Sequence, residues 1–329
     1  MNTCIGDYSK HTGKGFCTKC KKALFEGRNV SSILNFDTTK SILEESFFHH
    51  IQRISISGVQ TKYSLKLVQN ELVLTESEGE YILKPVPKGL FLNLDATPEN
   101  EHLTMQIAKQ VFKIRTAENA LVRFKDAGLA YLTKRFDRQK DGLKFLQEDF
   151  AQIKQTNSQT HGENYKYEGS YEGIAALIKK YVGAYQPAIE SFFGQIIFNY
   201  LFANGDAHLK NFSLLETPFK DFTLSPAYDL INTAIHSPNE SAMALDLFQD
   251  DFYTEEYNIL GFYSKKDFEL FGSKIGIQPT RVTKIIDFFS SKSQIVELMI
   301  DSSFLTETIK NQYKAVYQNR LRGLTYKIE

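Results

Sequence analysis

Asn204-Gly205-Asp206-Ala207-His208-Leu209-Lys210-Asn211 is the stretch from which the fold can be read. Just before it, residues 187–204 carry Ile189, Phe192, Phe193, Ile196, Ile197, Tyr200 and Leu201. That wide apolar stripe predicts a buried helix. The polar groups of the octapeptide therefore sit at the mouth of an apolar element. Asp206 and Asn211 have the spacing found in phosphoryl-transfer loops, where the aspartate orients an acceptor hydroxyl and the asparagine holds magnesium. Such chemistry needs positioning and charge neutralisation more than covalent participation. His208 and Lys210 fall in the same loop. A D-x-x-x-x-N pair alone is common and often only caps a loop, so the reading depends on its surroundings.

Downstream, Leu224-Ser-Pro-Ala-Tyr-Asp-Leu230 supplies a second carboxylate, Asp229. A strand over 222–224 would return it beside the first loop, where it would hold magnesium between the β and γ phosphates. Upstream, Lys84 ends an expected strand at 81–84 and is the candidate phosphate lysine. Glu101, on an expected helix over 98–113, is its ion-pair candidate. Ser55–Lys62 precedes that strand, and Ser57, Gly58, Val59, Gln60 and Lys62 could cover phosphates there. Lys134, Phe136 and Asp137 lie where two lobes would join, with the Lys134 and Phe136 backbones facing adenine. Each residue has an ordinary structural reading by itself: a solvated lysine, a first-turn acid, a turn hydroxyl. The order is informative: loop, strand lysine, helix glutamate, hinge, D-x-x-x-x-N, then aspartate.

Working outward, alternation at 63–68, 71–75 and 81–84 predicts strands, and 120–124 with 129–133 a hairpin. Helical spacing covers 41–54, 98–113, 171–182, 187–204, 266–272, 279–290 and 293–323. The fold class expected is α+β and two-lobed. A Cys-containing head spans 1–50, a sheet-rich lobe 51–138 and a helical lobe 139–329.

The 329 residues balance 39 Lys+Arg against 39 Asp+Glu, which excludes a generally basic nucleic-acid coat. Direct nucleic-acid binding by this chain alone is not expected, and no helix-turn-helix signature is seen. No apolar run approaches a membrane span and the first residues lack the apolar stretch of a leader, so a cytoplasmic protein with no membrane partner is expected. The three cysteines, Cys4, Cys17 and Cys20, all lie in the first 20 residues, which does not look like a disulfide framework. With His11 they offer one nitrogen and three sulfurs, a candidate zinc knuckle; the alternative is free thiols.

Together, SISGVQTKYSL, YILKP, ENEHLTMQIAK, LTKRFDR, QEDFAQ, NGDAHLKNFSLL and LSPAYDLINT resemble the HipA family of bacterial toxin serine/threonine kinases. The resemblance covers roughly 54–232. It implies ATP- and Mg2+-dependent phosphorylation of a protein serine, typically on an aminoacyl-tRNA synthetase, which blocks translation. It makes Asp206 the catalytic carboxylate, Asn211 and Asp229 the metal ligands, and Lys84 the phosphate lysine. It places the hinge at the Phe136 backbone. It also implies self-inactivation by autophosphorylation at Ser55 or Ser57. Fewer residues precede Ser55 than in full-length HipA proteins, so the chain is similar to the short HipT-type kinase of three-component HipBST systems. That likeness implies a small HipS-like partner and a helix-turn-helix DNA-binding partner. The Cys-rich head belongs to neither pattern. Two other readings use the same residues. A small-molecule or lipid kinase also carries GDxHxxN, but SISGVQTK and RFDR argue against it. A catalytically silent nucleotide-binding regulator is opposed by intact Lys84, Asp206, Asn211 and Asp229.

Overall fold

The computed structural model describes residues 1–37, 61–126, 128–139 and 143–326. The expected helix over 41–54 and the candidate residues Ser55, Ser57, Gly58, Val59 and Gln60 lie outside the described residues.

The chain opens with a small hairpin, β1 (Asn2–Thr3) against β2 (Lys10–His11), followed by helix α1 (Thr18–Phe25). Five strands then form an antiparallel sheet in the order β4-β3-β5-β7-β6: β3 Tyr63–Val68, β4 Glu71–Leu74, β5 Tyr81–Pro85, β6 Asn119–Arg123 and β7 Leu129–Lys134. The strand periodicity works as the alternation requires. Leu65, Leu83, Ala120, Val122 and Leu132 are buried in one cluster with Phe16, Leu24 and Phe25 of the head. The head therefore shares a core with the sheet. The Tyr81 hydroxyl donates to the Leu24 carbonyl at 2.6 Å, so the cover is also hydrogen-bonded.

Helix α2 (Thr97–Gln110) packs against β6 and β7. Pro98 lies in its first turn, where a missing N–H costs nothing. Unlike a surface helix, it is buried almost all round, from Thr97 to Ala108. Its far side meets the helical part of the molecule.

That part begins with β8 (Gln147–Asp149), the short turns α3 (Phe150–Ile153) and α4 (Ser158–His161), and α5 (Tyr171–Tyr181). Helix α6 (Tyr185–Leu201) is its centre and is apolar on nearly every side. Around it stand α7 (Glu255–Leu260), α8 (Lys265–Lys274), α9 (Pro279–Ser290), α10 (Ser293–Asp301) and α11 (Glu307–Thr325). β8 joins β9 (Ser213–Glu216) and β10 (Phe222–Leu224) in a second antiparallel sheet, ordered β10-β9-β8. The strand expected at 222–224 is present; β8 and β9 are not among those expected from the sequence. The single helix expected over 293–323 is two helices. Ser302 and Ser303 turn their hydroxyls back onto the Leu298 and Ile300 carbonyls, ending α10. Thr306 then caps α11 through its side chain. Among the described residues no helix is long and apolar enough to cross a membrane.

Candidate active site

Lys84 leaves β5 on the side facing α2 and is only 3% exposed. A buried ammonium needs partners, and it has two carboxylates. Its Nζ lies 2.6 Å from Glu101 Oε1 and 2.5 Å from Asp229 Oδ1. The Tyr131 ring, on the neighbouring strand, lies 5.4 Å away. Lys62 Nζ approaches the other Asp229 oxygen at 4.0 Å. Burial works against the Lys84 charge, but Asp229 and Glu101 overcome it and raise its pKa. Burial likewise pushes Asp229 upward, and the two lysines, Lys84 foremost, outweigh this and hold it well below the carboxylate range. Glu101 is different. Burial dominates and pushes it up to about 7, against the pull of Lys84. One ammonium is shared by two acids, and the shared arrangement favours ionised Asp229.

The two loops are built to bring these groups together. After α6 the backbone turns through Ala203 at φ 46° and tightens at Gly205. A Cβ on Gly205 would lie 2.5 Å from the Ser241 carbonyl, so only glycine fits. Thr233 Oγ1 accepts from the Gly205 N–H at 2.9 Å and donates to the Ala203 carbonyl at 2.9 Å. Asn204 Nδ2 donates to Asn199 Oδ1 at 3.0 Å and to the Asp229 carbonyl at 3.4 Å, tying one loop to the other. Asp229 itself sits in the left-handed region at φ 55°, which aspartate tolerates better than most residues. Asn100 on α2 completes the frame: it donates to the Asn232 carbonyl at 2.8 Å and accepts from its N–H at 3.2 Å. Glu101, next in sequence, is thereby placed on Lys84.

Asp206 and His208 are buried, with His208 Nε2 3.6 Å from Asp206 Oδ1. Burial lowers the His208 pKa to about 4, with Asp206 pulling the other way, so the ring is neutral at pH 7. Asn211 Oδ1 accepts from the His208 N–H at 3.2 Å, which orients the amide. Lys210 is exposed at the rim, and its carbonyl accepts from the Tyr228 hydroxyl at 2.8 Å.

A cleft of about 1060 Å³ is lined by Lys62, Lys84, Phe136, His208, Asn211 and Asp229, with other residues. Asn211 and Asp229 share this cleft and present oxygens, the donors a hard divalent cation takes. These residues fit a nucleotide and its cation, with Lys84 and Lys62 as the positive charges.

At the junction between the lobes, Lys134, Phe136 and Asp137 all line the cleft. The Lys134 N–H already donates to the Glu118 carbonyl at 2.7 Å, because the strand pairing continues through it. This N–H is therefore engaged within the sheet. Asp137 is fixed in place there: Arg135 grips it through two bonds, at 2.9 and 2.6 Å. The Phe136 ring lies 5.7 Å from that of Tyr228.

Tyr167 is a site residue the sequence reading passed over as part of a polar connector. Its hydroxyl donates to Asp206 Oδ1 at 2.5 Å, and its ring meets His208 edge-on at 5.1 Å. Nothing local in Tyr165-Lys-Tyr-Glu-Gly marks it. Asn100 and Asn204 are similarly distinguished only by where the chain puts them.

The HipA-like C-terminal domain family matches residues 54–296. The chain belongs to that family. A Haemophilus influenzae protein named "Putative kinase" is 30% identical over 288 residues, covering 82% of this chain and 81% of that one. A Sinorhizobium fredii protein, "Putative kinase Y4dM", is 30% identical over 211 residues, covering 59% of this chain and 48% of its own. Among solved structures, the Shewanella oneidensis HipA toxin, in its complex with HipB and operator DNA, superposes with a TM-score of 0.65 at 23% identity. The match covers 85% of this chain and 67% of that one. The Helicobacter pylori proinflammatory kinase CtkA superposes with a TM-score of 0.52 at 15% identity, over 79% of this chain and 90% of its own. The α+β fold of a HipA-like kinase is thus established, and the family points to a kinase.

Proposed function

We propose that this HipA-like chain is an ATP- and Mg2+-dependent serine/threonine protein kinase of the toxin type. The observation that carries the reading is Lys84, held by Glu101 at 2.6 Å and Asp229 at 2.5 Å in the cleft that Asn211 also lines. Bound magnesium-ATP would supply the phosphoryl group and the metal charge. Lys84 then meets the phosphates, and Asn211 with Asp229 holds the cation. Asp206 accepts the proton of the acceptor serine. The Tyr167 hydroxyl already donates to that carboxylate, so it is aimed to receive one. His208 stays neutral in the wall of the cleft.

An aminoacyl-tRNA synthetase is the proposed class of target, with growth arrest as the consequence. The antitoxin side would be a helix-turn-helix protein, since the Shewanella HipA structure holds HipB and operator DNA, with a small HipS-like protein as a second partner. Ser55 and Ser57 are the proposed autophosphorylation positions. A phosphate there adds about −1.5 to −2 charge.

The test is incubation of the purified chain with γ-labelled ATP and Mg2+, with and without a synthetase panel, beside Asp206→Asn. Label on protein serine in the active form alone is expected. Label appearing only on a soluble acceptor would replace the reading with a small-molecule kinase. Nucleotide binding with no transfer in any arm would leave a silent regulator.

A further inference from the structure

The N-terminal hairpin and the start of α1 close four potential metal ligands around one point. Cys4, Asp7, Cys17 and Cys20 each offer a ligand atom, and all four atoms lie within 4.8 Å of one another. We propose that this is a structural zinc site with three thiolates and one carboxylate, Cys4, Cys17, Cys20 and Asp7. It stands apart from phosphoryl transfer and does not depend on that reading.

The distances decide the chemistry. Cys4 Sγ and Cys20 Sγ are 3.7 Å apart. A disulfide would need about 2.05 Å. Two thiolates on one tetrahedral zinc, each at about 2.3 Å, stand about 3.8 Å apart. Cys17 Sγ lies 3.7 Å from both Asp7 oxygens. A thiolate and a carboxylate oxygen on the same ion stand about 3.6 Å apart. Both spacings are those of ligands around a shared ion.

The surroundings are built for it. The Cys4 sulfur accepts the Gly6 N–H at 3.4 Å and the Cys17 N–H at 3.2 Å, an arrangement that favours the thiolate. Cys17 is the N-cap of α1 and Cys20 lies in its first turn, at the positive end of the helix dipole. Gly6 cannot carry a side chain: its Cβ would lie 2.7 Å from Cys20 Sγ. Asp7 is fixed by accepting from the Ser9 N–H at 3.1 Å and the Ser9 hydroxyl at 2.6 Å. The motif is thus Cys4-x-x-Asp7 facing Cys17-x-x-Cys20.

This corrects the ligand set expected from sequence. His11 does not join the group. It is in β2, paired with Asn2, while the chain between the strands folds Asp7 inward instead. Binding Zn2+ releases the thiol protons still present on the three cysteines and leaves a site of charge −2, softened by the two N–H donors on Cys4.

The ion would clamp the head to both lobes. The Ile5 carbonyl accepts from the Leu121 N–H at 3.0 Å and the Asp7 carbonyl from Gln110 Nε2 at 3.0 Å. Tyr8, between two ligands, packs on His102 at 5.0 Å and on Phe304 at 5.5 Å.

The test uses the full-length protein, purified reduced. Elemental analysis should find one zinc per chain, or the apo-protein should take up one on titration with release of protons. Cobalt in its place should give a thiolate charge-transfer band and tetrahedral d–d intensity. Asp7→Asn should weaken zinc at least as much as the roughly 10–100-fold lost with an outer-shell partner, and His11→Ala should leave affinity unchanged. Chelation of the wild-type protein should lower its melting temperature, and added zinc should restore it, so the proposal is tested even where a cysteine variant misfolds. Absence of metal together with no uptake would overturn it, as would a Cys4–Cys20 disulfide in the native protein. Loss of metal in His11→Ala but not in Asp7→Asn would overturn the ligand set.

Discussion

The cleft and the N-terminal head each gather charged or polar groups around one point, yet they are assembled in opposite ways. In the head the four ligands come from residues 4 to 20, and a hairpin and one helix start position them. In the cleft, Lys84 and Asp229 are 145 residues apart and meet only because β5, α2 and two loops converge. The head also belongs to the core that covers the sheet, whereas the cleft is a gap in the packing. The contrast separates two uses of the same physics. A local cluster under a sheet contributes mainly stability, and its loss loosens the sheet. A distributed cluster at a lobe junction contributes chemistry, and a change there alters rate before it alters stability.

Four substitutions test that division. The largest effect is expected from Asp206→Asn, which should reduce phosphoryl transfer by roughly 10²–10⁴-fold. Its unfolding midpoint should stay close to that of the parent; a large fall in stability would mean the cleft is holding the fold together after all.

Glu101→Gln should come next. With a neutral amide, Lys84 has Asp229 alone as ionic partner and grips it more firmly. Phosphoryl transfer should drop by roughly 10–100-fold, because Glu101 no longer competes with Asp229 for the ammonium and the lysine is less available to phosphate. Stability should move little, since burial already brings Glu101 up to about 7 and its charge is costly to keep. Kinetics beside urea denaturation would show this, and an unchanged rate would remove Glu101 from the site.

His102 lies where the two regions touch, with Tyr8 of the head against its ring and Asn119 Oδ1 2.8 Å from Nδ1. That contact makes Nδ1 the protonated nitrogen, and Nε2 is buried without a hydrogen-bond partner. Burial lowers its pKa from 6.5 to about 4. The unfolded chain therefore takes up a proton as pH falls below 6.5 while the folded chain resists, so stability is lost as pH falls towards 4. Relative to His102→Gln, the parent should lose about 2–3 kcal/mol of its advantage between pH 7 and 4.5. Denaturant melts of both proteins at the two pH values measure it, and a constant gap would show that the ring is not held neutral.

The smallest effect is expected from Tyr167→Phe. Its hydroxyl occupies the Asp206 oxygen that the acceptor hydroxyl would need. Removing it should raise kcat/KM for the protein acceptor by roughly two- to tenfold, with KM for ATP unchanged. A fall instead would mean that the phenol orients the carboxylate for reaction.

Much of this molecule is legible in its sequence because the signals are short-range. Alternation placed β3, β5 and the β6–β7 hairpin; helical spacing placed α2, α6 and α9, the last with both ends as expected. The order of Lys84, Glu101, Asp206, Asn211 and Asp229 was enough to nominate residues that the fold then brings to one cleft or its wall. Asp206 to Asn211 lies within a single turn of chain, where spacing alone constrains geometry. What only the tertiary structure decided is which partner each group meets. Lys84 is shared between two acids, Lys134 spends its N–H on Glu118, and Asp137 serves Arg135. Tyr167 reaches Asp206, and Asp7 rather than His11 closes on the three cysteines. The reason is physical. Element type follows from the period of apolar residues along the chain, but a hydrogen bond or ion pair is set to within an ångström by the packing of segments far apart in sequence, and that packing is not written in any one of them.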